Sequence, residues 1–467
     1  MAASILLLLG TILGARSGQA PSLLAIHRLD GSHFETAAQW QFLAPRLENV
    51  DVVGLAEPIH MTHEFPILRI GIIRFLNEHL GFHTLALEGS LVDAWATQDR
   101  FLASARSDRD ASEAQLALFP LWNTPEIREL FQYEAASWST QNRLYVTSYD
   151  VQPGSGKGTY GVEAIRLLAD RLTTYAAPPV NLARDTWLHD LQPLTGGCGA
   201  FTPADAPAAI HAIEQLETWI ATASPVVAAR FPDVPMHSRS LRLVPASLRG
   251  SLALCTGMAS HSASYKALRD GQAAIFAEAL RNVSIDRKLM LWAHWSHLTY
   301  DDSLAGPSVG YALRQRLGER IYTILPVADR GSAIMIFPAP GSDDDVGYGW
   351  VRAGSDQFAT RMRALSSTPF LVDLRDASVR NDEAFAGSQT VWIESRPVRL
   401  SLIRNADAIV WLPQIGPPHV PLPLLMVLGG MHYRKTLAVL AVLLLVAGGS
   451  ALVWRRRPRP ARSSRAA

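Results

Sequence analysis

Over the first part of the chain, short β-rich runs alternate with longer stretches in which apolar residues recur at helical spacing. In the stretch 64–80, for example, Phe65, Leu68, Ile72 and Phe75 would share one face of a helix. The predicted strands are 51–56, 84–87, 143–148, 288–293 and 320–327. Parallel strands need crossover connections, which helices usually supply. The alternation therefore predicts an α/β fold with a mostly parallel sheet flanked by helices.

A long helical pattern separates the third predicted strand from the fourth. Residues 160–282 show helical spacing that Pro and Gly interrupt in two places. We interpret this stretch as a helical insertion or cap within one body that extends over residues 21–423. The chain has only two cysteines, Cys198 and Cys255. In an exported protein they could pair as a disulfide, or they could remain two unrelated buried thiols.

Both ends of the chain carry apolar segments that predict export and membrane attachment. A short apolar run and a stretch of small residues predict a signal peptide over 1–20, although no basic residue precedes the run. A linker, 424–435, leads to residues 436–454, which are long and apolar enough to span a bilayer as one transmembrane helix. Arginines dominate the tail 455–467. The positive-inside rule therefore predicts a cytoplasmic tail and an extracytoplasmic body.

Polar side chains of functional kinds follow four of the predicted strands. They are Glu57, His60, His63 and Glu64 after the first strand, Glu88 after the second, Asp150 after the third, and His294 and His297 after the fourth. In open α/β sheets, ligands bind beyond the carboxyl ends of the strands. Long stretches of chain separate these groups, but one parallel sheet would bring all of them to the same edge. This convergence predicts an active site.

The residue types at this edge favour hydrolysis. Imidazole has a pKa close to neutrality, so a histidine can take a proton from water and return it. A carboxylate beside the ring would fix its tautomer and support the imidazolium, and an arginine could bind a developing oxyanion. No GxSxG motif marks a nucleophilic serine. The predicted catalytic residues are His60, Glu57, Glu88, His294 and His297, and the predicted substrate-binding residues are Arg69, Glu64 and Asp150.

Two other functions are compatible with the same residues. Glu57, His60, His294 and His297 could hold zinc in a metal-dependent hydrolase or peptidase, although the HExxH signature is absent. The body could also bind a ligand at the cell envelope without catalysis. A formal net charge of +1 gives no bulk attraction for nucleic acid. The expected partners are a small-molecule or polymer-borne ester and the membrane, with no cofactor.

Several blocks of the sequence resemble, in order, those of the erythromycin esterase-like family. They are GLAEPIHMTHEF (54–65), FLNEHLGFHTLALEG (75–89), LWNTPEIREL (121–130), SYDVQ (148–152), RDGQAAIFAEAL (269–280), LWAHWSHL (291–298) and ADAIVWLPQIGPPH (406–419). The resemblance covers roughly residues 24–423. Known members of that family hydrolyse the macrocyclic lactone of macrolides through a histidine-activated water, without an obligatory metal. The resemblance therefore implies an ester or lactone hydrolase.

The resemblance also implies roles for individual positions. By position, the general base of the family falls on His60 and its acidic partner on Glu57. The site arginine falls on Arg69 and the second-strand glutamate on Glu88. The late histidine pair falls on His294 and His297. The sequence departs from the family at Pro58, Ile59, Met61 and Trp295, where smaller or more polar residues are usual. We interpret these positions as pocket-lining. On that interpretation the reaction class stands, and a macrolide substrate becomes a weaker expectation.

Overall fold

The described residues, 26–104, 124–152, 159–195, 198–301, 306–337 and 345–419, form a sheet covered by helices on both faces in a computed structural model of the chain. The strands of this part are β1 (Ile26–Arg28), β2 (Val52–Glu57), β3 (Thr84–Ser90), β4 (Tyr145–Asp150), β5 (Leu289–His294), β6 (Ile321–Ala328), β7 (Arg330–Phe337), β8 (Asp345–Arg352), β9 (Phe370–Asp373), β10 (Gln389–Ile393), β11 (Arg396–Leu400) and β12 (Ala408–Leu412).

The α-helices of the same part are α1 (Ala44–Leu47), α2 (Glu64–His79), α3 (Leu91–Ala103), α4 (Pro125–Ser137), α5 (Thr159–Thr173), α6 (Arg184–Leu191), α7 (Ala206–Arg230), α8 (Pro235–Leu241), α9 (Val244–Ala259), α10 (Tyr265–Val283), α11 (Trp295–Leu298), α12 (Val309–Leu317), α13 (Gln357–Leu365), α14 (Ala377–Arg380) and α15 (Leu402–Asn405).

The main sheet has eight strands in the order β1-β9-β12-β6-β2-β5-β3-β4. The strands from β12 to β4 in this order pair in parallel. At the other end of the sheet, β9 pairs antiparallel with both β12 and β1. Two separate antiparallel pairs, β7 with β8 and β10 with β11, lie outside the main sheet. The predicted α/β class with a mostly parallel sheet flanked by helices is confirmed.

The five predicted strands correspond to β2, β3, β4, β5 and β6, and each begins within two residues of its predicted start. The predicted helix over 64–80 corresponds to α2. The sequence after residue 338 indicates only irregular structure with short strands, yet β9 and β12 from this region complete the main sheet beside β6. Their shortness, four and five residues, explains why the pattern is weak.

Strand β2 shows why both faces of the sheet are apolar. Val52 and Ala56 pack against the helices of 159–283, while Val53 and Leu55 pack on the opposite face with α2. Every residue of β2 is buried, as expected for a central parallel strand that is covered on both faces. Polar side chains of such a strand can reach a ligand only from its ends.

The described residues between β4 and β5 form helices α5 to α10, where the sequence predicts an insertion over 160–282. Their packing buries Trp187 against Trp219 with an edge-to-face ring contact of 6.5 Å. A disulfide joins Cys198, which precedes α7, to Cys255 in α9. Of the two arrangements that the sequence leaves open for these cysteines, the structure therefore contains the paired one.

The predicted terminal segments lie outside the described residues. These are the signal peptide over 1–20, the linker 424–435, the membrane span 436–454 and the basic tail 455–467. Among the helices of the described ranges, none combines the length and the apolar character that a membrane span requires.

Candidate active site

The parallel register brings the polar ends of three neighbouring strands to one edge of the sheet. β2 and β5 pair residue by residue until Glu57 stands opposite His294. On the other side of β5, β3 is irregular between Leu87 and Ser90. Such an irregularity redirects side chains, and Glu88 lies within it. The Glu88 carboxylate accepts a hydrogen bond of 2.7 Å from the backbone N–H of His294.

A buried chain of charged groups, Arg69–Glu57–His60, lies behind the loop that follows β2. His60 Nδ1 lies 2.6 Å from Glu57 Oε1, and the other carboxylate oxygen of Glu57 accepts a hydrogen bond from the Arg69 guanidinium. Arg69 also stacks on Trp292, with its guanidinium carbon 3.7 Å from the ring centroid. Glu57 is thus fixed from two sides, and it fixes the His60 ring. The other ring nitrogen of His60, Nε2, lies 4.0 Å from Glu394 Oε1.

The electrostatic surroundings make His60 an unusually basic histidine. Burial lowers the pKa of His60, but the hydrogen bond to Glu57 and the negative charges of Glu394, Glu57 and Glu88 outweigh burial and raise it to about 9. The His60 side chain is still 15% exposed. A neutral His60 would therefore take a proton from a nearby water more readily than an ordinary histidine does.

Arg269 is the centre of a second buried network, and the sequence interpretation did not single it out. Its guanidinium donates hydrogen bonds to Glu88 at 2.6 Å and to Asp150 at 2.8 Å. His297 belongs to the same network, with Nε2 3.1 Å from Glu88 and Nδ1 2.6 Å from Asp270. Burial lowers the pKa of His297, but the charges of Glu88 and Asp270 raise it to about 8 against the opposing charge of Arg269. Carboxylates on both ring nitrogens favour a charged His297 that holds this network together.

His294 is the neutral histidine of the site. Its Nδ1 accepts a hydrogen bond from the backbone N–H of Ser296 at 3.3 Å, so in the neutral ring the hydrogen lies on Nε2. Burial and the positive charge of His60 hold the pKa of His294 well below its usual value. The rings of His294 and His60 lie 4.8 Å apart, centroid to centroid. The site thus places a neutral N–H donor beside a basic ring.

Glu394 lies beside His60 and His294, and the sequence interpretation did not include it in the site. It lies in the turn between β10 and β11 with a left-handed backbone (φ 46°), which is uncommon for a residue other than glycine. Its own N–H donates to the Pro58 carbonyl at 2.8 Å, and its carboxylate accepts from the backbone N–H of His60 at 3.1 Å. The same carboxylate oxygen lies 3.6 Å from His294 Nε2. Because this turn is outside the main sheet, no strand-end pattern points to it.

The three residues predicted to bind substrate bind protein groups in the structure. Arg69 is 1% exposed and holds Glu57. Asp150 is 1% exposed and accepts hydrogen bonds from Arg269. Glu64 is half-buried and accepts from the backbone N–H of Gly416 at 2.8 Å. The contacts of Arg69 and Asp150 are typical of positioning residues, and the substrate-binding role of the three residues stays a prediction.

The departures from the family pattern are also placed differently from the sequence interpretation. Pro58, Ile59, Met61 and Trp295 are all buried. Met61 forms a backbone bridge with Ile334, and Trp295 belongs to the apolar cluster on the side of the sheet that carries α5 to α10. These positions are core positions rather than the lining of an open pocket. They consequently carry little information about the substrate.

Two groups of side chains in the described part of the chain have the donor set of a metal site. One group is His60, His294 and Glu394, and the other is His63, Glu126 and His419; within each group the ligand atoms lie within 4.8 Å of one another. The zinc ligands named from the sequence alone are arranged differently. Glu57 pairs with Arg69 and His60, and His297 pairs with Glu88 and Asp270.

The fold and this edge of the sheet define an α/β protein with a histidine–carboxylate centre beyond the strand ends. The sequence model of the erythromycin esterase family matches residues 77–415. The chain therefore belongs to the erythromycin esterase family. This membership confirms the predicted family and the class of enzyme, an ester hydrolase, to which the family belongs.

A curated relative and several solved structures are similar to the chain. The hydrolase-named protein YbfO of Bacillus subtilis (strain 168) is 26% identical over 127 residues, which are 27% of this chain and 26% of YbfO. The match thus spans about a quarter of that relative. A crystal structure of a Bacillus cereus protein has a TM-score of 0.64 at 16% identity and covers 85% of this chain and 96% of its own.

The fold is also similar to that of a solved mutant of erythromycin esterase EreC in its open conformation. The TM-score is 0.56 at 17% identity, over 84% of this chain and 98% of the EreC chain. A structure described as a succinoglycan biosynthesis protein has a TM-score of 0.57 at 15% identity, over 85% of this chain and 96% of its own. At these identities the likeness concerns the fold.

Proposed function

We propose that the protein is a membrane-anchored, extracytoplasmic hydrolase that cleaves a carboxylic ester or lactone with a water molecule activated by His60. The observation that carries the proposal is the short contact between His60 Nδ1 and Glu57 Oε1, 2.6 Å. With Nδ1 directed to Glu57, Nε2 is the nitrogen that would accept a proton from water, and the same contact supports the imidazolium that results.

The proposed reaction has two steps. In the first, neutral His60 takes a proton from water through Nε2 while the water oxygen attacks the carbonyl carbon. Glu57 stabilises the imidazolium, and Arg69 holds Glu57 in place. In the second step, the tetrahedral intermediate collapses, the carbon–oxygen bond to the leaving group breaks, and the imidazolium returns its proton to the departing alkoxide. The products are an acid and an alcohol, or one hydroxy acid from a lactone.

The developing negative charge on the carbonyl oxygen needs donors that do not themselves ionise. His294 suits this role because its ring is neutral and its Nε2 carries a hydrogen. This nitrogen is buried and lies 3.6 Å from the Glu394 carboxylate. The network of Glu88, Arg269 and His297 holds the His294 backbone through the 2.7 Å bond from its N–H to Glu88.

A second candidate function is metal-dependent hydrolysis at the same edge. It is favoured by the donor set of His60, His294 and Glu394, whose ligand atoms lie within 4.8 Å of one another. Two imidazoles and a carboxylate form a donor set that zinc accepts in hydrolytic enzymes. On this reading the metal would lower the pKa of a bound water.

One assay separates the two candidates. The full chain in detergent is tested against a panel of acyl esters and lactones, including a macrolide, before and after treatment with EDTA. If His60 activates the water without a metal, turnover should persist after chelation. Activity that disappears with EDTA and returns with zinc would assign the chemistry to the metal. Absence of turnover on the whole panel would favour an envelope protein that only binds its ligand.

The membrane anchor and the location of the body are part of the proposal. They are supported by the apolar segment 436–454 and by the arginines of 455–467. In spheroplasts, external protease should digest the body and spare a tag placed after residue 467. Digestion of the tag together with protection of the body would contradict this topology.

A further inference from the structure

A second histidine–carboxylate cluster lies apart from the charge chain of Glu57 and His60. His63 precedes α2, Glu126 lies in the first turn of α4, and His419 follows β12. His63 Nδ1 is 2.8 Å and His419 Nδ1 is 3.7 Å from Glu126 Oε1. The two imidazole rings face each other at 3.9 Å, centroid to centroid. Three distant segments of the chain thus bring two imidazoles and one carboxylate together.

These separations suit a cation held between the three side chains. Zinc binds histidine nitrogen and carboxylate oxygen at about 2.0–2.2 Å in tetrahedral geometry, so its ligand atoms lie about 3.3 Å from one another. The two measured separations, 2.8 and 3.7 Å, bracket that value. All ligand atoms of the group lie within 4.8 Å of one another, and a water molecule could complete the tetrahedron.

The Glu126 carboxylate provides an independent indication of a ligand. Glu126 is 2% exposed. Its Oε1 is shared by His63 and by the backbone N–H of His419, which donates at 2.6 Å. Its Oε2 is buried and makes no hydrogen bond to any described residue. A buried carboxylate oxygen without a donor is costly, and a cation bound by the same carboxylate would offset its buried charge.

We propose that His63, Glu126 and His419 bind a zinc-like divalent cation that ties the segment 415–419 to the beginnings of α2 and α4. Direct hydrogen bonds already hold this segment there. The Gly416 carbonyl accepts from the His63 N–H at 2.9 Å, and the Gly416 N–H donates to Glu64 at 2.8 Å. The cation adds a cross-link at the far end of the same segment. The site is separate from ester hydrolysis and does not rest on the proposed function.

The test is zinc binding to the full chain in detergent after chelator treatment and dialysis, measured by calorimetry. Cobalt absorption spectra provide a second readout of the ligand geometry. His419→Ala is the informative variant because its side chain is 73% exposed, so the fold tolerates its removal. Glu126→Gln keeps the shape of the buried side chain and removes its charge. His60→Ala is the matched control, because it disrupts the other histidine cluster.

The proposal predicts a zinc-binding event in the wild type that weakens at least tenfold in His419→Ala and in Glu126→Gln and that persists in His60→Ala. The wild-type cobalt complex should show the intense visible bands of a tetrahedral site, and the two variants should lose them. Equal zinc affinity in the wild type, His419→Ala and Glu126→Gln would overturn the proposal. It would also be overturned by a wild type that binds no zinc, or by binding that disappears only in His60→Ala.

Discussion

His60 Nδ1 lies 2.6 Å from Glu57 Oε1, and the second oxygen of the same carboxylate is held by Arg69. The three groups come from the end of β2, the loop after it and the second turn of α2. One buried carboxylate thus orients the histidine and supports its charged form.

Replacing Glu57 by Gln should lower turnover by about 10²–10⁴-fold, because an amide keeps the shape but can hold the histidine in the wrong tautomer and cannot stabilise the imidazolium. The pKa seen in the pH dependence of any residual activity should also fall, since Glu57 raises the pKa of His60. Steady-state kinetics over pH 6–10 measure both effects. Turnover equal to that of the wild type would remove Glu57 from the mechanism.

Replacing Arg69 by Met should lower the free energy of unfolding by about 3–5 kcal/mol, because the substitution removes the buried positive charge that pairs with the Glu57 carboxylate. Urea unfolding followed by tryptophan fluorescence measures this change. The matched control is Arg249→Met, which breaks the exposed pair between Arg249 and Glu217 and should cost about 0–1 kcal/mol. Similar losses in both variants would argue against a special role for the buried pair.

Substitutions of Glu394 show whether the turn between β10 and β11 contributes to the site. Its charge raises the pKa of His60, so Glu394→Gln should move the rising limb of the pH–rate profile to lower pH. A lower pKa gives more neutral His60 at pH 7 but a weaker base. Glu394→Gly relieves the left-handed backbone and should shift the limb in the same direction. An unmoved profile in both variants would contradict the contact with His60.

His297 should titrate with a pKa of about 8, which histidine-selective NMR of labelled protein can follow. Asp270→Asn should lower this pKa, because it removes the carboxylate at 2.6 Å from His297 Nδ1. A His297 pKa that stays near 8 in Asp270→Asn would assign the shift to Glu88 alone.

The sequence predicts the class of fold and most of the site because both depend on local patterns. Alternating strands and helices predict the parallel sheet, and polar residues after the strands mark the edge where His60 and His294 meet. Arg269 and Glu394 could not be found in this way. Arg269 lies on a helix and Glu394 lies in a turn, and only tertiary packing brings them to the site. Arg269 contacts Asp150, 119 residues away in the sequence, and Glu394 contacts His60, 334 residues away.

The roles of individual polar residues are a second limit of sequence patterns. Arg69 and Asp150 carry charges that suit a substrate. In the structure both are buried, and Arg69 pairs with Glu57 while Asp150 pairs with Arg269. The sequence shows that a charged residue is near the site, whereas only the packed structure shows which charged partner it meets. Met61 and Trp295 are a similar case. The sequence suggests that they line a pocket, whereas the packed structure buries both side chains in the core.

The most direct test of the account is the turnover of His60→Ala on the substrate that the wild type cleaves best. Loss of a general base typically lowers turnover by about 10²–10⁴-fold. Because His60 must be neutral to act, wild-type kcat/KM should rise with pH and level off above pH 9, since the pKa of His60 is about 9. His79→Ala, an exposed histidine on α2, is the control and should retain wild-type rates. The account predicts a His60→Ala protein that is folded, nearly inactive and without this pH-dependent rise. A folded His60→Ala protein with near-normal turnover would contradict it.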